Sequence, residues 1–292
     1  MFKGVFTALV TPFRDDKIDY TSLEGLIEAQ VKGGVDGVVP VGTTGESPTL
    51  SFEEHKEYVK RVVAMVDKRV KVIAGTGSNS TREAVHLSQA AQEYGVDGVL
   101  LVNPYYNRPP QRGLVAHFET VAKSIAIPVI LYNIPVRTAV NFLPESILEL
   151  LGRAPNIVAI KEATGDLVQM MRVIELCGDR LTLLSGDDNL LLPLLAIGGK
   201  GVISVLANVL PADMKKIVTL FNEGRFDESR TLFYKILPLC RAMFYETNPI
   251  PVKAAMEMMG RCAGDIRLPL VPLSDEHRAK LRQALVDYGV KL

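Results

Sequence analysis

Ile157-Val158-Ala159-Ile160-Lys161-Glu162-Ala163-Thr164-Gly165 is the stretch whose reading decides the fold of this chain. Its first four residues are apolar without alternation, the pattern of a strand covered on both faces, as in a parallel sheet packed beneath helices. Lys161 stands where that strand should end. A lysine on such a rim either runs its stem along apolar surface to reach water or is held where low polarity favours the free amine that a Schiff base needs. This stretch alone leaves both open, and most strand-end lysines are solvated.

Outward from it, short apolar runs recur at residues 5–10, 37–41, 70–74, 98–102, 128–132, 157–160, 181–184 and 202–205, eight candidate strands. Segments between them, at 22–30, 52–65, 81–94, 114–124 and 168–176, carry apolar residues three and four apart, as amphipathic helices do. Such alternation implies a parallel sheet, because each crossover returns the chain to the same edge. An internal echo agrees: Gly34-Val35-Asp36-Gly37-Val38-Val39 reappears as Gly95-Val96-Asp97-Gly98-Val99-Leu100, 61 residues on, and loosely as Gly199-Lys200-Gly201-Val202-Ile203. Its glycine suits the left-handed position just past a helix, and it reads as turn chemistry in all three copies.

Eight units match a (βα)8 barrel, a TIM barrel, better than a doubly wound sheet of five or six strands. No GxGxxG follows the first run, and Gly75-Thr76-Gly77-Ser78 lacks the rest of a phosphate-binding signature, so it reads as a tight turn. Past about residue 222 the strands give way to helical patterns at 225–245, 252–259 and 275–288, broken by Asn248-Pro249-Ile250-Pro251 and Leu268-Pro269-Leu270-Val271-Pro272. Ser274, three residues before His277, reads as an N-cap and not as a catalytic partner. The expected division is a catalytic barrel over residues 1–224 and a small C-terminal helical domain over 225–292 that packs against the barrel or a neighbouring subunit and has no chemistry of its own.

The composition narrows the function. Of 292 residues 48% are hydrophobic, and 33 Lys and Arg balance 33 Asp and Glu, so nothing in the charge suits nucleic acid or an anionic membrane surface. The expected partners are small molecules or other protein chains. Cys177, Cys240 and Cys262 are scattered and lack metal-ligand spacing, which suits reduced, buried thiols of a cytoplasmic protein. The start of the chain has no signal-peptide pattern, and the apolar run at 190–199 is too short to span a bilayer. His55, His86, His117 and His277 are dispersed, which disfavours a metal-dependent aldolase, and no GxSxG or Cys/His pair argues for acyl transfer.

In barrel enzymes the reacting groups stand at the carboxyl ends of the strands. Those positions here hold Thr43 and Thr44 within Gly42–Ser47, Tyr105 and Tyr106 after the fourth run, Tyr132 and Arg137 around the fifth, Lys161 and Glu162 at the sixth, and Gly186 with Asp187 and Asp188 after the seventh. Each alone has an ordinary explanation as packing, helix cap or surface ion pair. Together they supply one lysine, phenols and hydroxyls able to pass protons, and an arginine suited to a carboxylate. That joint pattern favours a lysine-dependent aldolase or lyase acting on a 2-oxo acid. Glu162 should point away from Lys161, towards the helices, by strand alternation.

From Gly4 to Phe13 and through VGTTGES (41–47), NPYYNRP (103–109), YNIPVRT (132–138), IKEATGD (160–166), LSGDD (184–188), GVISV (201–205) and NPIPVKAA (248–255), the chain resembles the dihydrodipicolinate synthase and N-acetylneuraminate lyase family of pyruvate-dependent lysine aldolases. The resemblance spans the whole chain, with the motifs in the family's order. It implies that Lys161 forms the Schiff base with pyruvate, that Tyr132 relays protons, and that Thr43 and Tyr106 complete the relay, Tyr106 reaching across a dimer interface. It implies further that Thr44 holds the pyruvate carboxylate, that Gly186 and the carbonyl of Ile203 line the pocket, and that Arg137 binds the carboxylate of aspartate semialdehyde. Arg137 favours the synthase over a sister lyase cleaving a 2-keto-3-deoxy sugar acid or sialic acid, whose acceptors present hydroxyls at that step. A catalytically inactive ligand-binding barrel is the remaining alternative, and the intact set of Lys161, Tyr132 and Thr43 argues against it. No cofactor and no metal are implied, because the protonated imine serves as the electron sink. A homotetramer built as a dimer of dimers is implied, as is a lysine-regulated pocket at Pro48, Phe52, His55, Gly77, Asn79, Glu83 and Tyr105, with Phe52 standing where sensitive bacterial members can carry a polar residue.

Overall fold

The computed structural model describes residues 2–292. Its eight barrel strands are Gly4–Ala8, Gly37–Val39, Lys71–Gly75, Gly98–Val102, Val129–Asn133, Ile157–Glu162, Thr182–Ser185 and Gly201–Ser204, called first to eighth below. Every strand is parallel to its successor and the eighth closes on the first, so the expected barrel is what forms. The helices are α1 (Tyr20–Lys32), α2 (Phe52–Val66), α3 (Thr81–Glu93), α4 (Gln111–Lys123), α5 (Pro135–Thr138), α6 (Pro144–Leu151), α7 (Leu167–Cys177), α8 (Leu191–Ala196) and α9 (Pro211–Asn222), followed by α10 (Phe226–Ala242), α11 (Ile250–Met258) and α12 (Asp275–Tyr288).

Local chemistry starts these helices where the barrel needs them. Ser51 and Glu54 form a reciprocal capping box that opens α2. After the sixth strand, Gly165 takes φ +80° and the Asp166 carboxylate accepts from the amides of Val168 and Gln169, turning the chain into α7. The repeated glycine behaves as expected in two copies, at φ +72° for Gly34 and +84° for Gly95; in the third the left-handed residue is Gly198, one position before Gly199. The aspartates of that repeat do more than turn. Asp36 accepts from the amide of Val5 and Asp97 from that of Val72, each at 2.8 Å, so each pins the start of an adjacent strand.

Two apolar regions result. The larger lies between strands and helices, and the smaller fills the barrel, with Phe6, Ile73, Leu100, Ile130, Leu184 and Ile203 among its members. Alternation decides which side a residue takes: Ala159 faces the barrel interior, so Lys161, two residues on, does too, and Glu162 faces the helices as expected.

Ser274 occupies the N-cap position of α12 without making a capping bond. Its hydroxyl donates to Glu246 at 2.6 Å, and His277 lies 2.8 Å from the same oxygen. Cys177, Cys240 and Cys262 are buried free thiols. Among the described residues, no helix is long and apolar enough to cross a membrane.

Candidate active site

The fifth and sixth strands run in register at their carboxyl ends, so that Tyr132 pairs with Lys161 and Asn133 with Glu162. Lys161 is 6% exposed, which excludes the snorkelling geometry, and its ammonium lies 4.2 Å from the centroid of the Tyr132 ring. Gly186 closes over it from the seventh strand's loop: its amide donates to the Glu162 carbonyl at 2.7 Å, and a Cβ there would sit 3.0 Å from Lys161 Cε.

On the opposite face of these strands Glu162 is fully buried. It accepts from the Asn133 side chain at 3.1 Å and from the Thr164 amide at 2.9 Å, while Asn103 donates to Asn133 at 2.8 Å. Burial pushes the Glu162 carboxyl upwards, and these donors oppose the shift. The network ties the ends of the fourth, fifth and sixth strands together beneath the Tyr132 and Lys161 pair.

A pocket of about 230 Å³ opens at this end of the barrel, lined by Thr43, Tyr105, Tyr132 and Arg137 among others. Lys161 does not line it directly and abuts the Tyr132 ring that does. Ile203 is fully buried in the same interior cluster as Tyr132. Thr44 is buried beside Thr43, in a loop bracketed by left-handed backbone at Val41 (φ +51°) and Glu46 (φ +56°). A β-branched residue at positive φ stores strain that the surrounding structure must hold. Tyr106 is not brought to this pocket; it is 91% exposed, at φ +70°. The Gly75-to-Ser78 segment is a turn whose Thr76 and Gly77 amides are both bonded to Leu100 O, which leaves them unable to hold an anion.

A second pocket of about 170 Å³ adjoins the first, with Ser47, Pro48, Gly77 and Tyr105 in both walls. Phe52, His55 and Glu83 line it too, whereas Asn79 does not. Burial lowers the pKa of His55, and its Nε2 lies 2.8 Å from Gly75 O, an acceptor, so that nitrogen carries the proton.

The C-terminal segment packs against this end of the barrel, one of the two placements expected of it. Asn248 Nδ2 donates to Thr44 Oγ1 at 3.0 Å, and Arg137 donates to the Asn248 carbonyl at 3.2 Å. Lys253 and Glu46 form an ion pair at 2.6 Å with both side chains 1% exposed. Burial pulls the Lys253 pKa down against the attraction of Glu46. Between Asn248 and Lys253 the chain is apolar, Pro249-Ile250-Pro251-Val252, and nothing local to it in the sequence signals these contacts.

Comparison with known proteins agrees with this architecture. The Dihydrodipicolinate synthetase family profile matches residues 1–287. The 4-hydroxy-tetrahydrodipicolinate synthase of Syntrophobacter fumaroxidans is 53% identical over 99% of this chain and 100% of its own. Among solved structures, dihydrodipicolinate synthase from Aquifex aeolicus superposes with a TM-score of 0.98 at 47% identity, over 100% of this chain and 99% of that one. The chloride-inhibited dihydrodipicolinate synthase from Acinetobacter baumannii, complexed with pyruvate, does so with a TM-score of 0.97 at 42% identity over 100% of both chains. This chain belongs to the dihydrodipicolinate synthetase family.

Proposed function

We infer that the protein is a lyase that condenses pyruvate with L-aspartate 4-semialdehyde to 4-hydroxy-tetrahydrodipicolinate, in the diaminopimelate route to lysine. The observation that carries the site assignment is a lysine 6% exposed inside the barrel mouth with its ammonium against Tyr132. The Lys161 amine adds to the keto carbon of pyruvate and expels water, forming an imine. Loss of a methyl proton gives an enamine, whose carbon bonds to the aldehyde carbon of the second substrate while the aldehyde oxygen takes up a proton. The amino group of the new chain then attacks the imine carbon, the bond to Lys161 breaks, and the free lysine returns.

Tyr132 passes the protons in these steps together with Thr43, which shares its pocket. Thr44 holds the pyruvate carboxylate, Gly186 and the Ile203 carbonyl bound the space, and Arg137 takes the carboxylate of aspartate semialdehyde. Tyr106, exposed on its own subunit, completes the relay of a neighbour in a homo-oligomer organised as a dimer of dimers. The second pocket is a site for lysine, with Glu83 offering a carboxylate to an ammonium and His55 a neutral ring. Titrating lysine against initial velocity tests that part, and a flat response at millimolar lysine refutes it.

Borohydride added to protein and pyruvate should fix a pyruvate-derived group on Lys161, found by peptide mass spectrometry. Absence of the adduct removes the Schiff-base reading. Turnover with aspartate semialdehyde but not with sugar acids assigns the acceptor.

A further inference from the structure

We propose that Asn248, carried by the C-terminal segment, is a positioning residue for substrate recognition: its side chain orients the Thr44 hydroxyl towards a carboxylate, while its backbone carbonyl steadies Arg137. The proposal rests on the reading of Thr44 and Arg137 as the two carboxylate holders. A threonine hydroxyl has one hydrogen to donate and two lone pairs to accept with. Asn248 Nδ2 occupies one of those lone pairs at 3.0 Å, so the Thr44 hydrogen stays available for a second, anionic partner. The same residue's carbonyl accepts from Arg137 Nη2 at 3.2 Å, so a single residue contacts both groups that must grip acids.

Two further observations favour orientation over simple packing. Asn248 is 5% exposed, yet its Oδ1 has no hydrogen-bond partner, so the amide is placed there at a cost and its only side-chain bond is the one to Thr44. Five residues on, Lys253 is locked to Glu46, two residues beyond Thr44, which fixes the segment and the loop against each other at both ends. The contact spans 204 residues of sequence and joins the helical appendage to the barrel at the recognition loop itself.

The near-isosteric Asn248→Asp variant isolates the side-chain role, because it keeps the backbone carbonyl and removes the donor. An aspartate would accept the Thr44 hydrogen and face the pyruvate carboxylate with a like charge. The pyruvate concentration giving half-maximal borohydride trapping should rise by roughly tenfold or more, while KM for aspartate semialdehyde at saturating pyruvate stays near the unmodified value. Asn248→Ala should show the same split to a smaller degree, and added to Thr44→Val it should produce no further loss. Unchanged pyruvate saturation in both Asn248 variants overturns the proposal, as does an equal loss for both substrates that follows falling thermal stability. Should Asn248→Ala fail to fold, the Asn248→Asp result decides alone. If Thr44→Val itself leaves pyruvate saturation unchanged, the underlying reading of the site is what fails; if it weakens pyruvate while Asn248→Asp does not, only the role of Asn248 is lost.

Discussion

Gly186 shows how one missing side chain sets the position of another. A Cβ on it would meet Ala163 Cβ at 2.7 Å and Lys161 Cε at 3.0 Å, both closer than packed carbons tolerate. Gly186→Ala should therefore displace the Lys161 stem, and since ångström-scale misplacement of a reacting group can cost on the order of a hundredfold in rate, borohydride trapping with pyruvate should slow sharply while circular dichroism stays unchanged. Trapping at the unmodified rate would mean the stem has room to yield. Asp188, close by, makes a prediction of a different kind. Its Oδ2 accepts from the amides of Val205 and Leu206 at 3.0 and 2.9 Å, and complete burial pushes its carboxyl up to about 6. Because the folded value is the higher one, the native state binds the proton first as pH falls, so this group's contribution is fully present below the unfolded value near 3.8 and is lost as pH rises through about 6. The contribution is of order 3 kcal/mol. Thermal unfolding followed from pH 4 to 7 should flatten in Asp188→Asn relative to the unmodified protein, and an identical profile would remove Asp188 as its source.

Between elements, the Lys253 and Glu46 pair joins α11 to the loop that follows the second strand. Removing one partner leaves a buried charge alone, which costs roughly 3–5 kcal/mol, whereas replacing both by apolar groups of similar volume is often neutral. Lys253→Met should thus lower the thermal midpoint by several degrees, and adding Glu46→Leu should restore most of it; a double variant no better than the single would place the stabilisation elsewhere, for instance in the contact of Lys253 with the Phe13 ring at 4.3 Å. Such pairings mark the boundary of what the sequence discloses. The eight strands were legible because runs such as Gly98–Val102 are short, apolar and bounded by turn residues. Helices α6 and α8 were not, since Pro144–Leu151 is short and Leu191–Ala196 is apolar on every side and shows no period. Helix α9, Pro211–Asn222, is amphipathic and carries its signal in the sequence, a proline at its start. In the candidate site, the joint pattern of polar residues at the strand ends and in the loops after them raised Lys161, Tyr132 and Thr43, and the family resemblance implied their roles. Asn248 and Lys253 escaped because their partners lie 204 and 207 residues away, and nothing local encodes a tertiary hydrogen bond.

At the scale of the molecule, a single chain leaves one part of the proposed relay unplaced in its own pocket. Tyr106 is 91% exposed and held at positive φ by the loop after the fourth strand, so its phenol projects away from the site that Lys161 and Tyr132 share. In a two-fold dimer the same patch on each subunit meets its counterpart, so every site would combine Lys161 of one copy with Tyr106 of the other. Lys161→Ala and Tyr106→Phe homo-oligomers should then both be severely impaired for different reasons. Unfolded together, mixed in equal amounts and refolded, they produce hybrids in which one site carries both defects and the other carries neither. Random pairing makes about half of the dimers hybrid with one intact site each, so about a quarter of the unmodified activity should return. If Tyr106 acted within its own chain, each hybrid site would keep the defect of its own subunit, and mixing would restore nothing beyond the average of the two variants. Activity regained on mixing therefore distinguishes a shared site from a self-contained one.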